Sequence, residues 1–367
     1  MYNILISGYY GFNNIGDESI LRTVIDNLRE KVPDVDITVL SHAPAQTAEK
    51  YGVKAAARMS LWAIFRCVWR CDLLLSGGGS LLQDATSSRS ILYYLFLLRL
   101  AQLMGKRTFI YSQGIGPIFS ARNRRFTAFV LRRTDGIVVR DSKSRDLLLE
   151  LGVPDHLIHV TADPVIRVRT PGTELGARIL AEEGCPRRPG RLAVGWAVKA
   201  RKPGKDFLRE VRRCIQWLRE SCGADSVLIP FFYDEDLWVC EAVAGALDGR
   251  TGCLRKKYLS EETLSIIGCM DVLVGVRLHS LIYAAIMGVP MIGISYDPKV
   301  DSFLASIDRP TPFTVEDFTL EKFQAAFQDA LERREELRES TARRLDSLIA
   351  KLDRNEELIR AIMERKK

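Results

Sequence analysis

Apolar runs at 2–8, 36–41, 71–81, 107–117 and 135–142 predict strands, and helix-spaced apolar positions over 18–32, 61–70, 90–105 and 121–134 predict helices between them. Strands that alternate with helices form βαβ units and a parallel sheet. The stretch 167–191 breaks this rhythm with Gly, Pro and Arg. The rhythm then restarts, with strands predicted at 192–198, 226–232, 271–276 and 290–296 and helices at 205–221, 235–247, 260–268 and 279–287. From 317 to 367 the chain is highly charged, helix-patterned and free of Gly and Pro.

The pattern divides the chain into a Rossmann-like domain at 1–170, a linker at 171–191, a second Rossmann-like domain at 192–316 and a C-terminal helical tail at 317–367. This α/β organisation looks like the GT-B architecture, with two Rossmann-like domains facing across a cleft. Ligands of open α/β sheets bind outside the carboxyl ends of the strands. The loops that follow the strands are therefore expected to line that cleft.

Composition adds a charge argument. At 367 residues, 47% hydrophobic and 27% charged, the chain suits two well-cored domains. Its net charge of +7 suits an anionic partner. No run reaches the roughly 18 uncharged apolar residues of a spanning helix. The eight cysteines form no C-x-x-C pair, and no signal peptide pattern is seen, so a reducing cytoplasm is expected. No metal-ligand spacing and no nucleic-acid recognition motif is found.

The strand-end loops carry the candidate chemistry. In GYYGFNNIGDES, Gly11 and Gly16 have the spacing of a phosphate loop, but Asp17 and Glu18 stand where the lysine and Ser/Thr would be. These acids read either as helix-start residues or, with Asn13 and Asn14, as partners for sugar hydroxyls. In SGGGSLLQD, Gly78 and Gly79 allow close approach of a ligand to the backbone. Arg140 reads equally as scaffold or ligand contact. In GVRLHSL, Arg277 and His279 open a helix after a strand, an arrangement suited to an anion and to proton transfer near neutral pH. Lys299 follows the next strand, and Lys199, Arg201 and Lys202 follow the first strand of the second domain.

GYYGFNNIGDESIL, SGGGSLLQD, SQGIGP, VVRDSKS and GVRLHSLIYAAIMGVPMIGISYDPKV together resemble the polysaccharide pyruvyltransferases, nearest the CsaB type that modifies the secondary cell-wall polymer anchoring bacterial S-layers. The resemblance covers most of the chain, to about residue 300. It implies transfer from phosphoenolpyruvate (PEP) to a sugar as a cyclic ketal, with no cofactor beyond the donor. It also implies that Arg277, Leu278 and His279 form the PEP site, because the R-L-H motif is intact. Lys299, Lys199 and Arg201 are added as further cations for PEP, although the basic pattern of VGWAVKARKPGKDF departs from that of relatives. The implied acceptor is a lipid-diphosphate-linked saccharide containing N-acetylmannosamine. Asn13, Asn14, Asp17, Glu18, Gly78, Gly79 and Arg140 are its expected contacts.

His279 is then the expected proton donor or helper of phosphate departure, and Asp17 the candidate base. A lipid-linked acceptor also suits peripheral contact with an anionic membrane at its inner face, through residues 58–70 and the basic helix at 121–133. Three rival readings remain. A nucleotide-sugar glycosyltransferase shares the fold, a cell-wall polysaccharide-binding protein needs no chemistry, and a dinucleotide oxidoreductase lacks its G-x-G-x-x-G loop.

Overall fold

Strand β1 (Tyr2–Ser7) is apolar on both faces, as expected for the middle of a sheet covered on both sides. The computed structural model describes residues 2–85, 87–185, 188–199, 205–247 and 251–364. The chain forms two compact units, one of Met1–Val168 with Leu348–Lys367 and the other of Arg169–Ser347.

The first unit adds β2 (Val35–Ser41), β3 (Lys54–Ala57), β4 (Leu73–Ser76), β5 (Gly79–Leu82), β6 (Arg107–Ile115), β7 (Gly136–Val139) and β8 (Ile158–Val160). The order is β3-β2-β1-β4-β6-β7-β8, with β5 paired to β6, and every pair is parallel. Leu5, Leu74, Ile110 and Ile137 pack under helices Leu61–Arg70, Ser88–Leu103, Ala121–Leu131 and Ser142–Glu150 on one face of the sheet.

The second unit contains β9 (Ala193–Ala197), β10 (Asp225–Leu228), β11 (Gly252–Cys253), β12 (Val272–Gly275), β13 (Met291–Ser295) and β14 (Phe313–Thr314). Its order is β11-β10-β9-β12-β13-β14, again wholly parallel. The second sheet thus carries the 3-2-1-4-5-6 order of doubly wound folds, and the first shares its 3-2-1-4 half. Winding reverses between β1 and β4 in one unit and between β9 and β12 in the other, and each reversal opens a crevice at the carboxyl ends of those strands.

Two boundaries differ from the sequence reading. The 171–191 segment contains a helix, Glu174–Glu182, that packs on helix Ser260–Gly268 within the second unit. The 317–367 stretch is not a separate tail. Phe323 and Phe327 of helix Leu320–Glu332 enter the second unit's core, where Phe323 meets Trp196 and both meet Trp217. From Leu348, helix Arg334–Glu364 belongs to the first unit. There Tyr111 donates to the buried Glu356 carboxylate, Arg167 donates to it at 3.2 Å, and Asn355 donates to Ser112 at 2.8 Å.

Truncation after Ser347 removes the buried Leu352, Ile359 and Ile362 and takes from Arg167, Tyr111 and Ser112 their Glu356 and Asn355 partners. Each apolar side chain contributes about 1.5–3 kcal/mol, which together rivals the whole stability of a domain. The truncated chain is expected to lose the first unit's cooperative thermal transition, measured by calorimetry.

Candidate active site

In the first unit the crevice is floored by the loops after β1 and β4. Ser7 pairs in register with Ser76, and the Gly77 amide donates to the Ser7 carbonyl at 2.7 Å. Tyr10 folds back beneath both loops and is 0% exposed. A Cβ at Gly77 would lie 2.0 Å from its hydroxyl, so only glycine fits there. Gly77→Ala is expected to cost about 1–3 kcal/mol by overpacking, read as a fall in Tm; an unchanged Tm would contradict this packing.

Asn14 caps helix Ile15–Lys31, its Oδ1 accepting from the Gly16 amide at 3.2 Å. Glu18 is buried and tied to its own loop. It accepts from the Gly11 amide at 2.9 Å and from Lys50 at 3.1 Å, and Tyr51 donates to it as well. Both residues thus shape the loop. Asp17 is half-buried on the same first turn and overhangs the glycine run: a Cβ at Gly79, whose φ is +93°, would lie 3.1 Å from its Oδ1. Asn13 is exposed at φ +57°, a conformation asparagine tolerates. Beside it the rings of Tyr9, Phe12 and His42 stack, at 4.1 Å and 4.4 Å between centroids.

Arg140 is committed to scaffold. Its buried guanidinium donates to Asp163 at 3.0 Å and to Ser80 at 2.9 Å, bracing the end of the glycine run. The sequence reading missed Arg58. It is buried, donates to the Gly8 carbonyl at 3.2 Å and the Tyr94 hydroxyl at 3.3 Å, and lies 4.7 Å from the Tyr93 ring centroid. It holds the first loop from below, and its local sequence, ARMS, carries no signal of that role.

In the second unit the strand ends gather cations. Arg277 is the N-cap of helix Leu278–Ile286, next to the end of β12. Its Nε donates to Asp236 at 3.0 Å, its Nη2 donates to the other oxygen of that carboxylate, and Glu235 lies 3.5 Å away. Nη1 makes no hydrogen bond to a described residue, so Asp236 fixes one edge of the fork and leaves another for a ligand. Burial opposes the guanidinium charge, but Asp236 outweighs it and raises the Arg277 pKa. Leu278 has a buried side chain, so it can serve a ligand only through its backbone N–H, one of the first-turn donors without an intrahelical partner. His279 follows on the same turn, half-buried.

Tyr296, after β13, joins the three cations and was also missed. Lys199 Nζ stands 3.8 Å from its ring centroid and Lys299 Nζ stands 5.5 Å away. Burial would raise the phenol pKa, yet Lys299, Lys199 and Arg277 together pull it below its ordinary value. Burial lowers the Lys199 pKa, and the neighbouring Arg277 and Lys299 charges add to the fall. Lys299 also meets Asp297 at 3.4 Å. Arg201, read as a PEP contact, and Lys202 lie outside the described residues.

A model of the polysaccharide pyruvyl transferase family matches residues 14–298. The chain belongs to that family. The match runs from the Asn14 cap through the Arg277–His279 corner and stops one residue short of Lys299. Membership makes the protein a transferase and associates it with pyruvyl transfer to polysaccharide.

A search of curated proteins finds no match. Among solved structures, this pyruvyl transferase is similar to the UDP-GlcNAc 2-epimerase of Neisseria meningitidis bound to UDP-GlcNAc (11% identity, all of both chains, TM-score 0.66). It is also similar to Anabaena HepE in complex with UDP and glucose (10% identity, all of both chains, TM-score 0.64). A Rickettsia africae glycosyltransferase has 11% identity and a TM-score of 0.62 over all of this chain and 99% of the other. At such identities the likeness shows the fold, which is GT-B-like.

Proposed function

We propose that the protein transfers a pyruvyl group from PEP to two hydroxyls of a sugar, forming a cyclic ketal and releasing phosphate. The single observation that carries this reading is the gathering of Lys199, Arg277 and Lys299 around Tyr296, beside a helix N-terminus, at a strand-order reversal. PEP carries a phosphate and a carboxylate, and three cations with backbone N–H donors suit that charge.

The step balances without a further reactant. C3 of PEP gains a proton, which makes C2 electrophilic. One sugar oxygen bonds to C2, the C2–O bond to phosphate breaks, and a neighbouring sugar oxygen closes the ring. Of the two hydroxyl protons, one is accounted for by the new methyl group and the other by the released phosphate. His279 supplies the proton to C3 or to the departing phosphate, and Asp17 accepts one from the attacking hydroxyl. The stacked Tyr9, Phe12 and His42 rings, with Asn13 and the Gly78–Gly79 backbone, suit the apolar and polar faces of a sugar. The acceptor in this reading is the N-acetylmannosamine of a lipid-diphosphate-linked disaccharide, and the product enters a secondary cell-wall polymer of the type that anchors S-layers.

Arg277→Ala tests the donor site. Its KM for PEP is expected to rise at least about tenfold, in line with loss of a charged hydrogen bond of roughly 1.5–3 kcal/mol; an unchanged KM contradicts the assignment. Thermal stabilisation by PEP but not by UDP-sugars separates this reading from a nucleotide-sugar glycosyltransferase.

The donor site also carries a pH dependence. A lysine with a lowered pKa loses its charge at lower pH than an ordinary lysine, and a tyrosine with a lowered pKa gains its negative charge earlier. Both changes weaken anion binding as pH rises. KM for PEP is therefore expected to increase through the alkaline range below the ordinary lysine pKa. Lys199→Arg should move that increase to higher pH, as measured by steady-state kinetics across pH.

A further inference from the structure

Twelve large apolar side chains are exposed among the described residues, and nine of them lie between residues 59 and 129. The same part of the chain is depleted of acid. Residues 55–71 and 85–134 hold twelve Arg and Lys and no Asp or Glu, although the whole chain is only +7. The fold places helices Leu61–Arg70, Ser88–Leu103 and Ala121–Leu131 side by side on one face of the first unit's sheet, each burying its other side.

Helix Leu61–Arg70 turns Ile64 and Val68 into the core and leaves Trp62 73% exposed and Trp69 66% exposed, with Phe65, Arg66 and Arg70 also outward. Further along this face, Phe119 and Phe129 are exposed. Arg133 lies 4.1 Å from the Phe129 ring centroid and Arg99 lies 5.1 Å from it. A groove of about 510 Å³ there is lined by Arg124, Arg125, Phe129, Arg132 and Arg133. The one acid on its wall, Glu150, is paired with Arg124 at 2.7 Å. Among the described residues no helix is long and apolar enough to cross a membrane.

We propose that this face docks on the surface of an anionic phospholipid bilayer. Trp62, Phe65 and Trp69 enter the boundary between headgroups and acyl chains, and the arginines of helix Ala121–Leu131 meet lipid phosphates. Charge decides against a second copy of this chain, because a two-fold contact would set the face on itself and bring like charges together. Apolar exposure decides against a nucleic-acid duplex, whose bases are already stacked and which would use the arginines and leave the tryptophans in water. The inference stands on the face alone and does not depend on the identity of the donor.

The test is flotation of the full chain with vesicles of phosphatidylcholine, alone or mixed with phosphatidylglycerol. The protein is expected to float with the mixed vesicles only, to be released by high salt, and to show a blue-shifted tryptophan emission when bound. Trp62→Ser/Trp69→Ser and Arg122→Glu/Arg125→Glu alter exposed positions outside the donor site, so their Tm should stay near that of the parent. Each pair should lower the partition at least about tenfold, the scale set by removing two cations or two aromatic anchors. No flotation of the parent protein overturns the proposal. So does flotation unaffected by the tryptophan pair but abolished by heparin, which marks a polyanion binder. A dimer in solution that the tryptophan pair dissociates overturns it as well.

Discussion

Asp236→Ala is expected to lower both the stability of the second unit and its hold on PEP. The Asp236 carboxylate is 0% exposed, takes two donors from Arg277 and accepts from the Phe232 amide at 2.9 Å. Removing it strands a largely buried guanidinium, with Glu235 at 3.5 Å the only carboxylate left in reach among the described residues. Breaking a buried pair from one side costs about 3–5 kcal/mol, which for a unit of this size is a fall in Tm of roughly 6–20 °C. KM for PEP should rise as well, because the fork is no longer aimed. The partner test is Asp236→Ala combined with Arg277→Met. With no charge left to strand, Tm should recover much of the loss while PEP binding stays weak. A single variant that melts like the parent, or a double variant that regains PEP binding, contradicts this role for the pair.

His279→Ala is expected to act on turnover instead. One well-placed acid–base group contributes about 10²–10⁴-fold, so kcat should fall by at least about a hundredfold, with KM for PEP changed much less than in Arg277→Ala. The helix that carries it is anchored by the buried Leu281, Ile282 and Tyr283, so Tm should move little. Turnover near that of the parent would remove His279 from the chemistry and leave it as a binding group.

The strand and helix pattern was legible because the central strands of both sheets are continuous apolar runs between amphipathic helices. Strand β3, the sequence KAAA at a sheet edge, escaped because it contains no β-branched or aromatic residue and is only partly buried. Helix Glu174–Glu182 was hidden inside a stretch whose Gly, Pro and Arg content reads as linker. The charged C-terminal pattern gave its helices correctly, but not where they pack, since periodicity says nothing about which sheet a face will cover.

The candidate site shows the same division. Arg277 and His279 stood out because a strand end, an arginine and a histidine coincide in sequence. Asp236 did not, because an acid in the first turn of a helix usually serves the helix dipole. Tyr296 escaped because its neighbours Lys199 and Lys299 are a hundred residues apart, and only the parallel order β9-β12-β13 brings their strand ends together. Asn14 and Glu18 belong to a glycine-rich stretch that reads as ligand-facing, yet as N-cap and first-turn residue of helix Ile15–Lys31 their hydrogen bonds serve the loop and the helix start.

The central claim is that the second unit holds PEP as a donor. Incubation of the protein with PEP and a lipid-linked N-acetylmannosaminyl–N-acetylglucosamine acceptor tests it most directly, following phosphate release together with the mass of the acceptor. The account predicts phosphate release that requires the acceptor and a pyruvate-sized mass gain on the sugar, both lost in His279→Ala. Phosphate-free incubations in which the acceptor is unchanged, or an acceptor extended from a UDP-sugar instead, would contradict it.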